Sequence, residues 1–232
     1  LMIGSFGTLA AIVSVNFKLT PRPALARTLL FAFDDLKSAL EARSAAIRGV
    51  LNPVAVDLLN PVFSAQVGMK GFVLAVMFAG NQSAVERSLR EASAFGPSRA
   101  LSIEDEQRFW DNLHASTPRF LEKFHDTAAV VRISTTLSEC GDALQIIEGP
   151  GHAHAASGIV RGWFTRPESA ARCMAEAVRR GWKAVIEFSS ESLRSDLALW
   201  PEPGRDLAIM KEIKKMFDPG NLLNRGRLFG QL

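Results

Sequence analysis

The chain has 232 residues, of which 47% are hydrophobic and 22% charged. This balance belongs to chains that fold around a core and excludes disordered and fibrous classes; the length accommodates one large domain or two small ones. The net charge of +3 is small, and Lys and Arg are scattered among Asp and Glu. The basic stripe that nucleic-acid backbones require is missing, so no nucleic acid is expected as a partner. The longest nearly pure apolar run, Gly71 to Gly80, is about half of what a membrane-spanning helix needs, so it reads as a buried strand and no membrane span is expected. Cys140 and Cys173 have neither CxxC spacing nor a neighbouring His, and are expected to be reduced, partly buried thiols. The start shows no basic segment with a small-residue cleavage site, so a cytoplasmic location is expected.

In chain order, Leu1-Met2-Ile3 reads as the middle of a strand, and the chain is expected to begin inside a domain. A Gly4-Ser5-Phe6-Gly7-Thr8 turn follows, then an apolar stretch from Leu9 to Leu19 ending in a strand with alternation at Val13, Val15, Phe17 and Leu19. Thr20-Pro21-Arg22-Pro23 stops the pattern and marks a domain boundary. Next come a strand over 27–33, a helix over 34–47 with Asp34 as N-cap, a strand pair over 54–59 and 71–78, a helix opened by Asn81 and running to about Phe95, and a strand over 99–103. This β-α-β-β-α-β order is that of a ferredoxin-like split unit.

A second copy of the order follows: helix 104–114, strand 128–133, helix 136–147, paired strands 152–156 and 159–164, a helix from Pro167 to Arg180 and a strand over 184–188. Ser189 to Arg205 reads as a linker, and Asp206 to Met216 as a helix stopped by Phe217-Asp218-Pro219-Gly220.

Two glycines and two hydroxyl residues in Gly4-Ser5-Phe6-Gly7-Thr8 allow backbone to approach a phosphate or a cofactor, with Ser5 and Thr8 as extra donors. The segment lacks both the P-loop ending and the full Rossmann spacing. An ordinary turn between strands accounts for it equally well. The closing stretch Met216-Phe217-Asp218-Pro219-Gly220-Asn221-Leu222-Leu223-Asn224-Arg225-Gly226-Arg227 reads by itself as a helix stop and turn.

Taken together, the two stretches resemble the paired signature of FAD-linked oxidases of the vanillyl-alcohol-oxidase superfamily. These carry G-S-x-G-T-L-G-x-I at the end of their main flavin-binding part and close with F-D-P-x-x-x-L-N-P-G-R. Ala10 stands in place of the last glycine of the first motif and Arg225 in place of the proline of the second. Among members, the resemblance is greatest to the FAD-binding subunit of bacterial glycolate oxidases, on the strength of Trp200-Pro201-Glu202-Pro203-Gly204 before the final helix. The histidine-bearing motif of the larger subunit's cap is not found.

The resemblance implies an α+β fold: a ferredoxin-like cap domain, with an antiparallel sheet and helices on one face, flanked by partial segments of an FAD-binding domain. Residues 1–22 would end the FAD-binding domain, 23–203 form the cap and 204–232 return to the FAD-binding domain. It implies FAD as cofactor, contacted by Gly4, Ser5, Gly7, Thr8, Ile12, Asn224 and Arg227. The glycine-rich pyrophosphate loop of the family's N-terminal half is absent, so the fragment alone is expected to be inactive.

His152 and His154 share one face of their strand by alternation. They suit an acid–base role at the flavin, a metal site lacking its carboxylate, or a plain solvent-facing pair; no metal is assigned. Arg161 and Arg166 flank Trp163 and suit a carboxylate clamp or a plain surface role. His114 and His125 receive no role, and no catalytic residue is named. The expected function is oxidation of a small 2-hydroxy acid such as glycolate by hydride transfer to flavin, with other oxidase subunits, including an iron–sulfur subunit, as partners. The alternatives are a non-catalytic interaction subunit and a stand-alone ferredoxin-like binding domain.

Overall fold

The computed structural model describes residues 1–193 and 197–232. The chain divides into two compact units, residues 22–197 and residues 1–21 with 198–232.

The larger unit runs β1 (Leu25–Phe33), α1 (Leu36–Arg48), β2 (Ala55–Leu59), α2 (Pro61–Gln66), β3 (Phe72–Gly80), α3 (Gln82–Ala92), β4 (Ser98–Ala100), α4 (Ile103–His114), α5 (Ser116–Lys123), β5 (Ala129–Ser134), α6 (Cys140–Gln145), β6 (Gly151–His154), β7 (Ile159–Phe164), α7 (Pro167–Arg179) and β8 (Lys183–Ser189). All eight strands lie in one sheet, ordered β4-β1-β3-β2-β6-β7-β5-β8, and every neighbouring pair is antiparallel. The order resolves into two ferredoxin-like units: β1 to β4 in one half, β5 to β8 in the same arrangement in the other, joined by β2 against β6. The copy expected after residue 104 is therefore a full partner of the first.

Alternation along β1 shows how the two faces are covered. Phe31 points to the side of Phe95, at a ring separation of 6.4 Å, just after α3. Leu30 points to the other side and packs with Phe109, Trp110 and Leu113 of α4. Helices α1 and α3 pack on strands of the first half, and α6 and α7 on strands of the second. On the opposite face, α2 and α4 add a layer over part of the sheet, around Leu59, Phe63, Val73, Val130 and Trp163. Burying a side chain such as Phe31, fully inaccessible, stabilises by about 2–3 kcal/mol, and both faces contribute such residues.

Local chemistry sets the helix starts. Asp35, not Asp34, caps α1, because its carboxylate reaches the amide of Ser38 at 2.9 Å, and Asp34 lies one residue too early for that contact. Asn81 caps α3 in the same way, and Ser102 caps α4. Asn60 caps the short α2, with Pro61 in its first turn. β4 covers 98–100, so Ile103 opens α4 instead of ending a strand.

In the smaller unit the expected N-terminal strands do not form. Residues 1–24 contain turns and irregular chain, and Val13 and Phe17 are 95% and 81% exposed. Alternating apolar residues become a strand only with a neighbour to share the hydrogen bonds. Helix α8 (Asp206–Phe217) is the regular element of this unit. Of the linker expected over 189–205, Ser189 ends β8 and residues 191–193 form a short 3-10 turn; residues 194–196 lie outside the described chain.

Candidate functional site

The turn at the start of the chain and the segment after α8 meet within the smaller unit. Gly4 and Gly7 take φ of +88° and +73°, and Phe6 between them +55°. A Cβ on Gly4 would meet nothing within 4 Å, and one on Gly7 would meet only Nδ2 of Asn224, at 3.4 Å. Backbone at these glycines is thus open to a close-packed ligand. The two hydroxyl residues are turned the other way: Ser5 and Thr8 are buried, and the Thr8 hydroxyl donates to the Ser5 carbonyl at 2.7 Å. The amides of Ser5 and Thr8 also donate inside the turn, to Met2 and Ser5 carbonyls. The donor role read for these side chains from the sequence is therefore filled locally at Thr8.

The closing segment is organised by a residue pair that carries no role by spacing or composition alone. Lys214 and Asp218 are both buried, one helical turn apart, with Nζ 2.6 Å from Oδ2. Lys214 Nζ also donates to the carbonyls of Thr8 at 2.8 Å and Leu223 at 2.6 Å. Asp218 accepts from the amides of Leu222 and Leu223. The Lys214 hydrogen bond, then those two amides, hold the Asp218 carboxyl at about 2, below the ordinary 3.8. One ammonium thus fastens the opening turn to the closing one. Asn224, itself left-handed at φ +43°, adds a hydrogen bond from its side-chain amide to the Phe6 carbonyl. Gly7 and Asn224 come together, with Gly4 in the same turn; Ile12 and Arg227 are exposed. The i,i+4 spacing of Lys214 and Asp218 was legible, but lysine at a helix end reads as a solvated charge.

In the larger unit a polar cluster lies at the junction of the two repeats. Asp57 on β2 is paired directly with His154 on β6, and His152 lies two residues earlier on the same face. His152 Nε2 is 2.6 Å and His154 Nδ1 2.8 Å from the same oxygen, Oδ1 of Asp57. Burial raises the Asp57 carboxyl, but hydrogen bonds from His152 and His154 outweigh it and hold the group at about 2. Burial pushes the His152 imidazolium down against the attraction of Asp57. The cluster is a charged carboxylate held by two imidazoles, not a solvent-facing histidine pair: His152 is buried against Phe63 and Trp163.

Arg161 is half-buried and committed to protein partners. Its Nε donates to Glu187 at 2.8 Å, and its Nη1 lies 3.0 Å from His154 Nε2. Since a guanidinium only donates, His154 Nε2 accepts there and Nδ1 carries the proton to Asp57. Arg166 is exposed beside the start of α7. His114 and His125 are exposed. Cys140 and Cys173 are free and buried, and burial pushes the Cys173 thiol to about 12. No described helix is long and apolar enough to cross a membrane.

Comparison with known proteins bears on the closing segment and on the fold. Residues 201–228 match the family of FAD linked oxidases, C-terminal domain. The chain is 23% identical over 266 residues to the glycolate oxidase subunit GlcD of Bacillus subtilis (strain 168), an alignment covering all of this chain and 57% of that protein. Among solved structures, an alkyldihydroxyacetonephosphate synthase shares the fold with a TM-score of 0.58 and 13% identity, over 94% of this chain and 47% of that one. A p-cresol methylhydroxylase does so with a TM-score of 0.56 and 15% identity, over 93% of this chain and 54% of that one. Together with the two terminal motifs, these findings make the closing segment similar to that of FAD-linked oxidases. The matched family domain is a C-terminal one, and the chain spans about half the length of these relatives.

Proposed function

We infer that the full-length protein is an FAD-dependent oxidoreductase that oxidises a small 2-hydroxy acid such as glycolate. Bound FAD would supply the hydride acceptor and pass electrons onward, while the protein binds and orients substrate. The observation that carries this reading is the joined pair of turns: Lys214 linking the Thr8 and Leu223 carbonyls, with Asn224 on Phe6 beside two open glycines. Gly4 and Gly7 suit close backbone contact with the cofactor. Ser5, Thr8, Ile12, Asn224 and Arg227 complete the proposed cofactor-binding set, the buried hydroxyls acting by shaping the turn. The division into 1–22, 23–203 and 204–232 as flavin-domain end, cap and flavin-domain return belongs to the same proposal. The glycolate assignment is supported by the name of the B. subtilis relative.

Other oxidase subunits, including an iron–sulfur subunit, are the proposed partners, and the cytoplasm the proposed location. The test is anaerobic mixing of the full-length flavoprotein with glycolate and other short 2-hydroxy acids. Bleaching of the oxidised-flavin bands by these acids is expected; a flavin that stays oxidised with all of them would remove the substrate assignment. A second reading, an interaction subunit whose partner performs the chemistry, is favoured by the run of exposed apolar side chains Ile12, Val13, Val15, Phe17 and Leu19. In that case only the assembled complex would bleach.

A further inference from the structure

Two imidazoles and a carboxylate converge at the junction of the two repeats, and among the described residues their ligand-type atoms all lie within 4.8 Å of one another. We propose that Asp57, His152 and His154 bind one divalent transition-metal ion of the zinc class. The proposal concerns the larger unit alone and does not depend on the flavin reading.

The donor set is the one such ions take, and three protein ligands leave open positions for water or a small anion. The geometry is close to what an ion requires. His152 Nε2 and His154 Nδ1 aim at one carboxylate oxygen from 2.6 and 2.8 Å, with protons bridging in the metal-free state. Ion–donor distances of about 2.0–2.2 Å put neighbouring donors of a tetrahedral ion roughly 3.3–3.6 Å apart, so an ion that replaces those protons requires the Asp57 carboxylate to draw back by about half an ångström to one ångström. Two ligands are built into the wall: the side chains of His152 and Asp57 are 5% and 4% exposed, while that of His154, at 40%, leaves an entry. All three lie on paired strands of one sheet, where ligand geometry is more rigid than on loops. The His152 ring is further held by Phe63 and by near-parallel stacking with Trp163.

Arg161 is the element that opposes the ion. With Nδ1 of His154 on a metal, Nε2 carries the ring proton, so the guanidinium that donates to Nε2 at 3.0 Å must leave; its existing bond to Glu187 gives it a place to stay. The arginine also puts a positive charge beside the site. Substitution of Arg161 is therefore expected to strengthen metal binding, while substitution of the ligands abolishes it. Adventitious uptake by the exposed His114 and His125 would show neither effect.

The test uses this chain, stripped with a chelator, titrated with zinc chloride and with cobalt chloride, and passed through a desalting column. We expect one ion retained per chain and visible ligand-field bands from cobalt. Asp57→Asn and His154→Gln should lose both, and Arg161→Gln should bind up to about tenfold more tightly, as removal of a nearby like charge implies. His154 is the least buried ligand, so His154→Gln keeps the test decisive should Asp57→Asn fail to fold; the metal-free melting curve of each variant reports folding. No retained ion in the unsubstituted chain, or retention unchanged in His154→Gln, would overturn the proposal.

Discussion

Asp57 and His154 are paired directly across the junction of the two ferredoxin-like repeats, and the imidazole Nδ1 lies 2.8 Å from the carboxylate. Because Arg161 donates to the other ring nitrogen, the tautomers are determined: in the metal-free protein His154 carries its proton on Nδ1 and His152 on Nε2. Two-dimensional proton–nitrogen correlation spectra of the imidazoles should show these two patterns. A His154 protonated on Nε2 would contradict the network.

The same cluster sets a pH dependence. Asp57 is depressed from 3.8 to about 2 in the folded state. Its contribution is therefore full above about 4 and is lost as pH falls toward 2. His152 is depressed below its ordinary 6.5, so the unfolded chain takes up its proton first, and that contribution too is present above 6.5 and fades on acidification. Melting temperature should fall from neutral pH downward, and His152→Gln should flatten the upper part of that decline.

Lys214 and Asp218 join the opening turn to the closing one. Asp218 is held at about 2 by the Lys214 hydrogen bond first, so this pair stabilises fully above the ordinary 3.8 and fades as pH drops to 2. In Lys214→Met the Asp218 carboxyl should titrate nearer the ordinary carboxylate range in a carbon-detected NMR titration. The amides of residues 5–8 should also exchange with solvent faster than in the unsubstituted chain.

Thr28 carries a buried relay on the α4 face. Its hydroxyl donates to Glu106 at 2.5 Å and accepts from the Trp110 indole at 3.0 Å. Thr28→Val keeps the shape but leaves two buried polar groups without their partner, at a cost of about 1–3 kcal/mol. Urea unfolding should show a lower midpoint with an unchanged slope.

Gly158 closes the β6–β7 hairpin that carries the histidines. Its φ is +71°, and a Cβ there would run into the backbone carbonyl of Thr135. Gly158→Ala should cost about 1–3 kcal/mol, seen as a drop of several degrees in melting temperature.

Sequence reading recovered what periodicity and end signals encode. Both β-α-β-β-α-β orders were legible, as were the Asn81 cap and the Pro167 helix start. Helix α2 was missed although Asn60-Pro61 is a cap followed by a first-turn proline, because six residues are too few to show a period. The strands read over 1–3 and 13–19 rest on alternation alone, and alternation does not supply a partner strand. Alternation also placed His152 and His154 on one face, but the carboxylate they share comes from Asp57, 95 residues before His152. Only the pairing of β2 with β6 brings it there, and pairing at that range leaves no local trace. Asp218 was visible within the F-D-P motif, yet its role depends on a lysine whose burial the sequence does not reveal.

The most direct test of the central claim is the visible absorbance spectrum of the full-length protein, purified after expression with flavin supplied and set beside that of this chain. The two bands of an oxidised flavin are expected in the full-length protein, with FAD released on denaturation. A full-length protein that folds but carries no flavin bands would contradict it and leave an interaction subunit as the better reading.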